Sequence, residues 1–287
     1  MRLTSAVMVA SRVPRVLTVA GSDSGGGAGI QADLKAFAAC GAHGLTAITA
    51  ITAQNTTDVL AVHPVPPDII VAQVRAVQSD IGIDAVKIGM LGDRPTIEAV
   101  VRALDGLPSD TPVVLDPVMI AESGGELLDP SAIGGLIELL LPRAQVLTPN
   151  LPEARALLVH AGGGPGSDPD PSHLVRELKA LGPEAIVLTG GHLEATTDVF
   201  YDGRQLVEIS GERQPHGAAH GSGCTHSSVL AARLAWGDDP LEAARVAREL
   251  AGRAVRDGLR EIGAGPGPVD ILGIGSGERA GIGAQAL

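Results

Sequence analysis

The chain has 287 residues, a formal net charge of −12 at pH 7 and only 1% aromatic residues. The acidic balance and the absence of a Lys/Arg-rich run argue against nucleic acid as a partner. The apolar stretch Leu3–Ala10 is interrupted by Arg12 and Pro14 before it reaches the length of a signal-peptide core or a membrane span. We therefore expect no membrane association and a cytoplasmic location.

Short apolar runs alternate along the chain with patterns of helical spacing. The predicted strands cover residues 16–20, 46–52, 85–90, 113–115, 146–148 and 185–189. The predicted helices cover residues 30–39, 68–79, 96–104, 131–141, 152–158 and 172–181. This alternation predicts an α/β fold with a mostly parallel central sheet and helices on both faces. Residues 198–210, turning at Gly203, predict an antiparallel hairpin at one edge.

The same alternation predicts a single domain over residues 15–272. Residues 1–14 form an N-terminal extension in this division, and the glycine-rich residues 273–287 form a tail that we expect to be flexible. The stretch 162–170 is interpreted as an exposed loop, because the alternation resumes after it.

The first glycine-rich stretch, Gly21–Asp33, connects the first predicted strand to the first predicted helix. Gly27, Gly29 and Ala32 match a variant of the dinucleotide-binding motif G-x-G-x-x-A. In that motif the first glycine follows the strand at once, whereas residues 21–26 intervene here. The motif therefore gives only weak support to a nicotinamide-dependent oxidoreductase.

Polar or small residues follow six of the predicted strands. They are Ser22, Asp23, Gln54, Asn55, Met90, Asp116, Asn150, Glu153, Gly190, Gly191 and His192. Turn and capping residues occur at such places in any α/β protein, which is the simpler reading of Ser22 or Asn150 alone. Ligands of open parallel sheets bind at the carboxyl ends of the strands, so the whole set predicts a site. Asp116 is the clearest case, because an unpaired carboxylate after a buried strand would be costly.

A second glycine-rich stretch, His220–Thr225, leads into another helical pattern. Free N–H groups and the helix dipole make such an N-terminus attractive to a phosphate. It is not a Walker A loop, because the chain has no Gly-Lys dipeptide. Cys224 is either a small residue packed at the helix start or a thiol whose pKa is lowered by the helix N-terminus. The other cysteine, Cys40, is distant in sequence, so neither a disulfide nor a zinc site is predicted.

Together these motifs resemble those of the ribokinase-like family and, within it, of the hydroxymethylpyrimidine/phosphomethylpyrimidine kinases of thiamine biosynthesis. The resemblance extends from about Arg15 to about Val269. It is carried by A-G-S-D-S-G-G-G-A-G-I-Q-A-D (Ala20–Asp33), T-A-Q-N-T (Thr52–Thr56), K-I-G-M-L (Lys87–Leu91), V-L-D-P-V-M (Val114–Met119), L-T-P-N-L-P-E-A (Leu147–Ala154), G-G-H-L (Gly190–Leu193) and H-G-S-G-C-T (His220–Thr225).

The resemblance implies a homodimeric kinase that uses ATP and Mg²⁺ to phosphorylate 4-amino-5-hydroxymethyl-2-methylpyrimidine and then its monophosphate. The implied substrate contacts are Gly21, Ala28, Asp33, Gln54, Met90 and Val118, with Asp33 binding the aminopyrimidine and Gln54 opposite it. The implied ATP contacts are Asn150, Thr189, Gly191, Gly221 and Gly223. Asp116 and Glu153 are implied as the Mg²⁺ ligands.

For catalysis, the resemblance implies that Gly221, Ser222, Gly223 and Cys224 form an anion hole. Cys224 occupies the position where sugar kinases of the family carry an aspartate base, and it is implied to be a base or a hydrogen-bond partner for the substrate hydroxymethyl group. Thr189 stands where a lysine that reaches the ATP phosphates is usual, and His226 stands where a leucine is usual. Thr189 leaves a non-catalytic pyrimidine-binding module as an alternative. A pyridoxal kinase of the same fold is another, because pyridoxine-type rings also carry a hydroxymethyl group.

Overall fold

The computed structural model describes residues 12–121, 124–162, 170–190, 197–214 and 217–276. The predicted contact Gly191, most of the predicted loop 162–170 and most of the predicted extension and tail lie outside these residues. The division into one domain at 15–272 stays a prediction.

Within the described residues the strands form one nine-stranded sheet in the order β3-β2-β1-β4-β5-β6-β7-β8-β9. The strands are β1 (Arg15–Asp23), β2 (His43–Gln54), β3 (Val59–Pro64), β4 (Ala85–Ile88), β5 (Val113–Leu115), β6 (Val146–Leu147), β7 (Ala185–Leu188), β8 (Asp198–Tyr201) and β9 (Leu206–Ile209). Strands β2, β1, β4, β5, β6 and β7 pair in parallel. The predicted parallel sheet and the antiparallel edge hairpin β8–β9 are confirmed.

The helices follow the strands in the expected alternation. They are α1 (Gly29–Ala39), α2 (Pro67–Asp80), α3 (Arg94–Leu104), the short α4 (Ile133–Gly135), α5 (Leu151–His160), α6 (Pro171–Ala180), α7 (Ser222–Trp236) and α8 (Pro240–Arg256). None of the helices in the described part of the chain has the length and apolarity required to cross a membrane.

The sheet separates two aliphatic layers, as successive strand residues point to opposite faces. Val16, Ala85 and Val114 pack against α1, α7 and α8. Leu17 and Val86 belong to the opposite layer, which is covered by α2, α3, α5 and α6. The central strands β4, β5, β6 and β7 are buried on both faces, which explains why their sequences are apolar apart from Lys87.

Three elements differ from the prediction. Strand β3, which pairs antiparallel with β2 at the other edge of the sheet, was not predicted. It is almost entirely exposed, so its residues do not alternate between buried and exposed positions. Helix α8 was not predicted, although Asp239 caps it and Pro240 starts it. The predicted helix 131–141 is broken into 3-10, α and π turns over Pro130–Arg143, because adjacent glycines and Pro142 interrupt a regular helix.

Candidate active site

Two glycine-rich segments meet at the carboxyl edge of the sheet. The β1–α1 loop is organised by Asp23, whose carboxylate accepts hydrogen bonds from the N–H groups of Gly25 (2.7 Å), Gly27 (3.0 Å) and Ala28 (2.8 Å). Burial favours a higher pKa for Asp23, but hydrogen bonds from His220 and from the loop hold its pKa below the usual value. Sequence reasoning placed Asp23 at the edge without a role, and this role is to shape the loop.

Asp33 lies deeper, at the interface of β1, α1 and α7. Its carboxylate accepts from the Thr18 hydroxyl at 2.6 Å, the Ser228 hydroxyl at 2.7 Å and the Lys87 ammonium at 3.0 Å. These three donors use three of the roughly four acceptor positions of the carboxylate, and the residue is fully buried. A direct hydrogen bond from Asp33 to a pyrimidine stays a prediction.

Lys87 is a central residue of the site that the sequence analysis did not single out. It is fully buried, and its Nζ lies 3.0 Å from Asp33 Oδ1 and 3.8 Å from Asp116 Oδ2. Burial lowers its pKa, but Asp33, Cys224 and Asp116 together raise it above the ordinary value, so the lysine is charged. A sequence signal was present, because a lysine inside a strand whose other residues are apolar and buried must have carboxylate partners.

Asp116 and Glu153 are two further carboxylates at this edge of the sheet. Asp116 accepts from the Ser227 hydroxyl at 2.9 Å, and burial raises its pKa although Lys87 opposes this. Burial and the nearby Asp116 raise the pKa of Glu153 to about 8. Glu153 also takes part in a capping box at the start of α5, in which its side chain accepts from the Asn150 N–H at 2.9 Å.

These two carboxylates fit the donor set that Mg²⁺ uses with nucleotides. The ion is usually bound through one or two carboxylates together with substrate phosphates. Among the described residues no group of three or more His, Cys, Asp or Glu side chains is arranged to hold a metal without such phosphates.

The first turn of α7 contains the residues that were predicted to form an anion site. Gly221, with φ +83°, precedes the helix, and no side chain caps its N-terminus within the described structure. A Cβ added at Gly223 would point into open space, while the Ser222 N–H is used by the Ala219 carbonyl at 2.9 Å. Space for an anion therefore lies beside Gly223 rather than at the Ser222 amide.

Cys224 lies in the same turn, close to the Lys87 network. Burial raises the pKa of its thiol to about 12, although Lys87 acts in the opposite direction. This direction is opposite to the shift expected from a helix N-terminus, and it favours a neutral thiol.

The remaining predicted substrate contacts surround this edge. Gly21 lies against Met90, and the Met90 carbonyl accepts from the Thr49 hydroxyl at 2.7 Å. Ala28, Gln54 and Val118 are partly exposed, which leaves them accessible to a ligand.

On the ATP side, Thr189 and Asn150 are neighbours. They form an isolated parallel bridge, and the Thr189 N–H donates to the Pro149 carbonyl at 2.9 Å. The next residue, Gly190, donates its N–H to Asp198 at 2.8 Å. Two of the five residues predicted to contact ATP are thus adjacent, and their contact with ATP stays a prediction.

Solved structures of known kinases have the same fold as this chain. The solved structure of the pyridoxal kinase from Staphylococcus aureus in complex with ADP has a TM-score of 0.80 at 33% identity, covering 91% of this chain and 94% of that chain. The phosphomethylpyrimidine kinase structure from Clostridium difficile 630 has a TM-score of 0.71 at 38% identity, covering 83% of this chain and 97% of that one. The fold is therefore that of the ribokinase-like kinases.

The family follows from the sequence matches. The family model "Phosphomethylpyrimidine kinase" matches residues 23–270. A hydroxymethylpyrimidine/phosphomethylpyrimidine kinase from Rhizobium meliloti (strain 1021) is 47% identical over 259 residues, which cover 88% of this chain and 95% of that protein. The chain belongs to the phosphomethylpyrimidine kinase family. The resemblance inferred from the motifs is confirmed.

Proposed function

We propose that this protein is a kinase of thiamine biosynthesis that transfers phosphate from ATP to 4-amino-5-hydroxymethyl-2-methylpyrimidine and then to its monophosphate. The observation that carries the proposal is the direct contact between the β1–α1 loop and the N-terminus of α7 at Gly27 and Gly221. The predicted acceptor pocket and the predicted anion site would thereby be adjacent. The relative from Rhizobium meliloti bears the name of this activity, and the Staphylococcus aureus neighbour was solved with ADP.

Phosphoryl transfer depends mainly on positioning and on stabilisation of negative charge. The α7 N-terminus offers its dipole and open space at Gly223 to the transferred phosphate. Asp116 and Glu153 would hold Mg²⁺, which neutralises phosphate charge when bound. Binding of the ion favours the ionised form of Glu153.

The neutral Cys224 thiol suits two different acceptors. A phosphate acceptor is already ionised near neutral pH and needs no base, but it would be repelled by a fixed carboxylate at this place. An alcohol acceptor can hydrogen-bond to the thiol. One site can therefore accept both substrates of the proposed sequence.

The test is to incubate the protein with ATP and Mg²⁺ and, separately, the pyrimidine alcohol, its monophosphate or pyridoxal. ADP release and the mass of each product are measured. Conversion of the alcohol to mono- and diphosphate supports the proposal. Phosphorylation of pyridoxal alone would favour the second candidate, to which the Staphylococcus aureus structure points. Pyrimidine binding without ADP release would indicate a non-catalytic module.

We also propose a homodimer and a cytoplasmic location. The β2–β3 edge exposes the apolar side chains Ile51, Leu60 and Val62, a pattern that fits a protein contact. Light scattering after size exclusion measures the mass of the particle. Leu60→Glu should shift a dimer to the monomer, whereas a monomeric wild type would contradict the proposal.

A further inference from the structure

The two glycine-rich segments of the site are joined by a buried pair of side chains. His220 Nε2 lies 3.2 Å from Asp23 Oδ2, and both side chains are less than one tenth exposed. An ionised carboxylate only accepts hydrogen bonds, so the imidazole is the donor. Asp23 already binds three N–H groups of its own loop, and the contact with His220 connects that loop to the segment before α7.

The backbone around this pair is shaped to bring the segments together. A Cβ on Gly27 would overlap the His220 ring, and a Cβ on Gly221 would overlap the Gly27 carbonyl. His220 is itself held from behind, since its N–H donates to the Gly267 carbonyl at 3.3 Å and its carbonyl accepts from the Val269 N–H at 3.1 Å. Each segment thus lacks a side chain where the other one fits.

We infer that Asp23 and His220 are positioning residues that set the distance between the bound acceptor and the transferred phosphate. The inference rests on the proposed function, in which the acceptor lies on the β1–α1 loop and the phosphate at the α7 N-terminus. Each ligand binds to its own segment, so loss of the pair leaves either ligand free to bind. Transfer between them requires both segments in register, because a displacement of about 1 Å can cost roughly 100-fold in rate.

The test compares His220→Leu, which removes the donor, with His220→Gln, whose amide can still donate to Asp23. We expect His220→Leu to lower kcat for the pyrimidine alcohol roughly 10- to 100-fold. The Kd of the alcohol alone and that of the non-hydrolysable AMP-PCP alone should stay near the wild-type values. Hydrolysis of ATP by water should persist, so the ratio of ADP to phosphorylated pyrimidine rises. His220→Gln should restore a large part of kcat.

Gly27→Ala provides a second variant that keeps both members of the pair. Its methyl group pushes the His220 ring away, so the same loss of kcat at nearly constant Kd is expected. His173→Leu is the control, because His173 pairs with Glu177 on the exposed face of α6 at 3.3 Å and should behave as wild type.

The outcomes separate the inference from the proposed function. If His220→Leu and Gly27→Ala lose only thermal stability, or lose affinity for a ligand with kcat unchanged, the positioning role is wrong. If either variant alone shows the expected split, the role is supported even when the other fails to fold. A wild type that phosphorylates neither pyrimidine would overturn the proposed function and the inference with it.

Discussion

Two buried ionic clusters lie on the α7 side of the sheet, and they differ in how well their polar atoms are paired. The first, which we call the lysine cluster, contains Asp33, Lys87 and Asp116 and is completed by the hydroxyls of Thr18, Ser227 and Ser228. The second, the histidine cluster, contains Asp198, His226 and Arg248, with 3.1 Å between His226 Nε2 and Asp198 Oδ2 and 3.7 Å between Arg248 Nη1 and Asp198 Oδ1.

Hydroxyl donors make the difference between the clusters. In the lysine cluster the hydroxyls donate to both oxygens of Asp33 and to Oδ2 of Asp116. In the histidine cluster burial acts to raise the pKa of Asp198, but the contact with His226 helps to hold it below its ordinary value. That contact is short, at 3.1 Å, but poorly aligned, and the His226 Nδ1 has no partner among the described residues. A fully paired buried network fixes one conformation, whereas an incompletely paired one adds little stability. We therefore expect the first cluster to tolerate no change and the second to tolerate several.

The strongest test of this contrast is Lys87→Met, which leaves two buried carboxylates without their cation. Removal of one partner from a buried ion pair costs about 3–5 kcal/mol, so we expect a loss of that order in the free energy of unfolding, measured with denaturant. Lys179→Met, at a half-exposed site on α6, is the control. An unfolding free energy equal to that of the control would contradict the role of the lysine cluster.

A carboxylate placed at Cys224, beside the lysine cluster, tests the contrast through the rates of the two phosphorylation steps. Cys224→Asp should retain much of the first phosphorylation and lose most of the second, since like charges at ~4 Å in a dry site repel by several kcal/mol. Cys224→Ala should show the opposite bias. Steady-state rates with the alcohol and with its monophosphate are compared for each variant. An equal ratio of the two rates in both variants would limit Cys224 to packing.

Glu153 extends the lysine cluster through Asp116, and its protonation gives a pH dependence. Its pKa is about 8 when folded against an ordinary value of 4.5, so between these values the folded state holds a proton that the unfolded state has lost. Stability in metal-free buffer should therefore fall as the pH rises from about 4.5 to about 8. Glu153→Gln should flatten this slope, and Glu177→Gln, an exposed control, should not. Identical slopes for wild type and Glu153→Gln would show that Glu153 is ionised.

The smallest effect is expected for His226→Leu in the histidine cluster. Asp198 keeps Arg248 and the Gly190 N–H, while the substitution removes a poorly aligned contact from Nε2 and an Nδ1 that has no partner among the described residues. Replacement of a poorly satisfied buried polar group by an apolar one is often neutral or stabilising. We expect a change in unfolding free energy within about 1 kcal/mol. A loss as large as that of Lys87→Met would remove the distinction between the clusters.

The sequence predicted the fold well where burial imposes a pattern. Strands β5, β6 and β7 are continuous apolar runs because both of their faces are covered, and turn residues marked their ends. Strand β3 escaped prediction because an exposed edge strand has no buried face. The break in the helix over 131–141 depends on local glycine and proline effects that a hydrophobic period does not reveal.

The meeting of the candidate site residues at one edge of the sheet was predictable, but their pairing with one another was not. The residues after each strand and the glycines before α7 indicated the edge of the sheet, and motif resemblance indicated the family. The partners of Asp33 and Asp23 lie far along the chain, in Lys87, Ser228 and His220, and such pairs depend on the three-dimensional arrangement. The thiol of Cys224 was open to two readings because its desolvation cannot be read from its neighbours in sequence.

Trp236 gives this protein a built-in optical probe. It is the single tryptophan of the chain, and its indole N–H donates to the Cys40 carbonyl at 2.9 Å, linking the ends of α7 and α1. Helix α7 has 15 residues and rises 1.5 Å per residue, so the indole lies about 20 Å from the anion site. Its fluorescence should therefore report the separation of α1 from α7 during unfolding while remaining insensitive to direct quenching by a bound nucleotide.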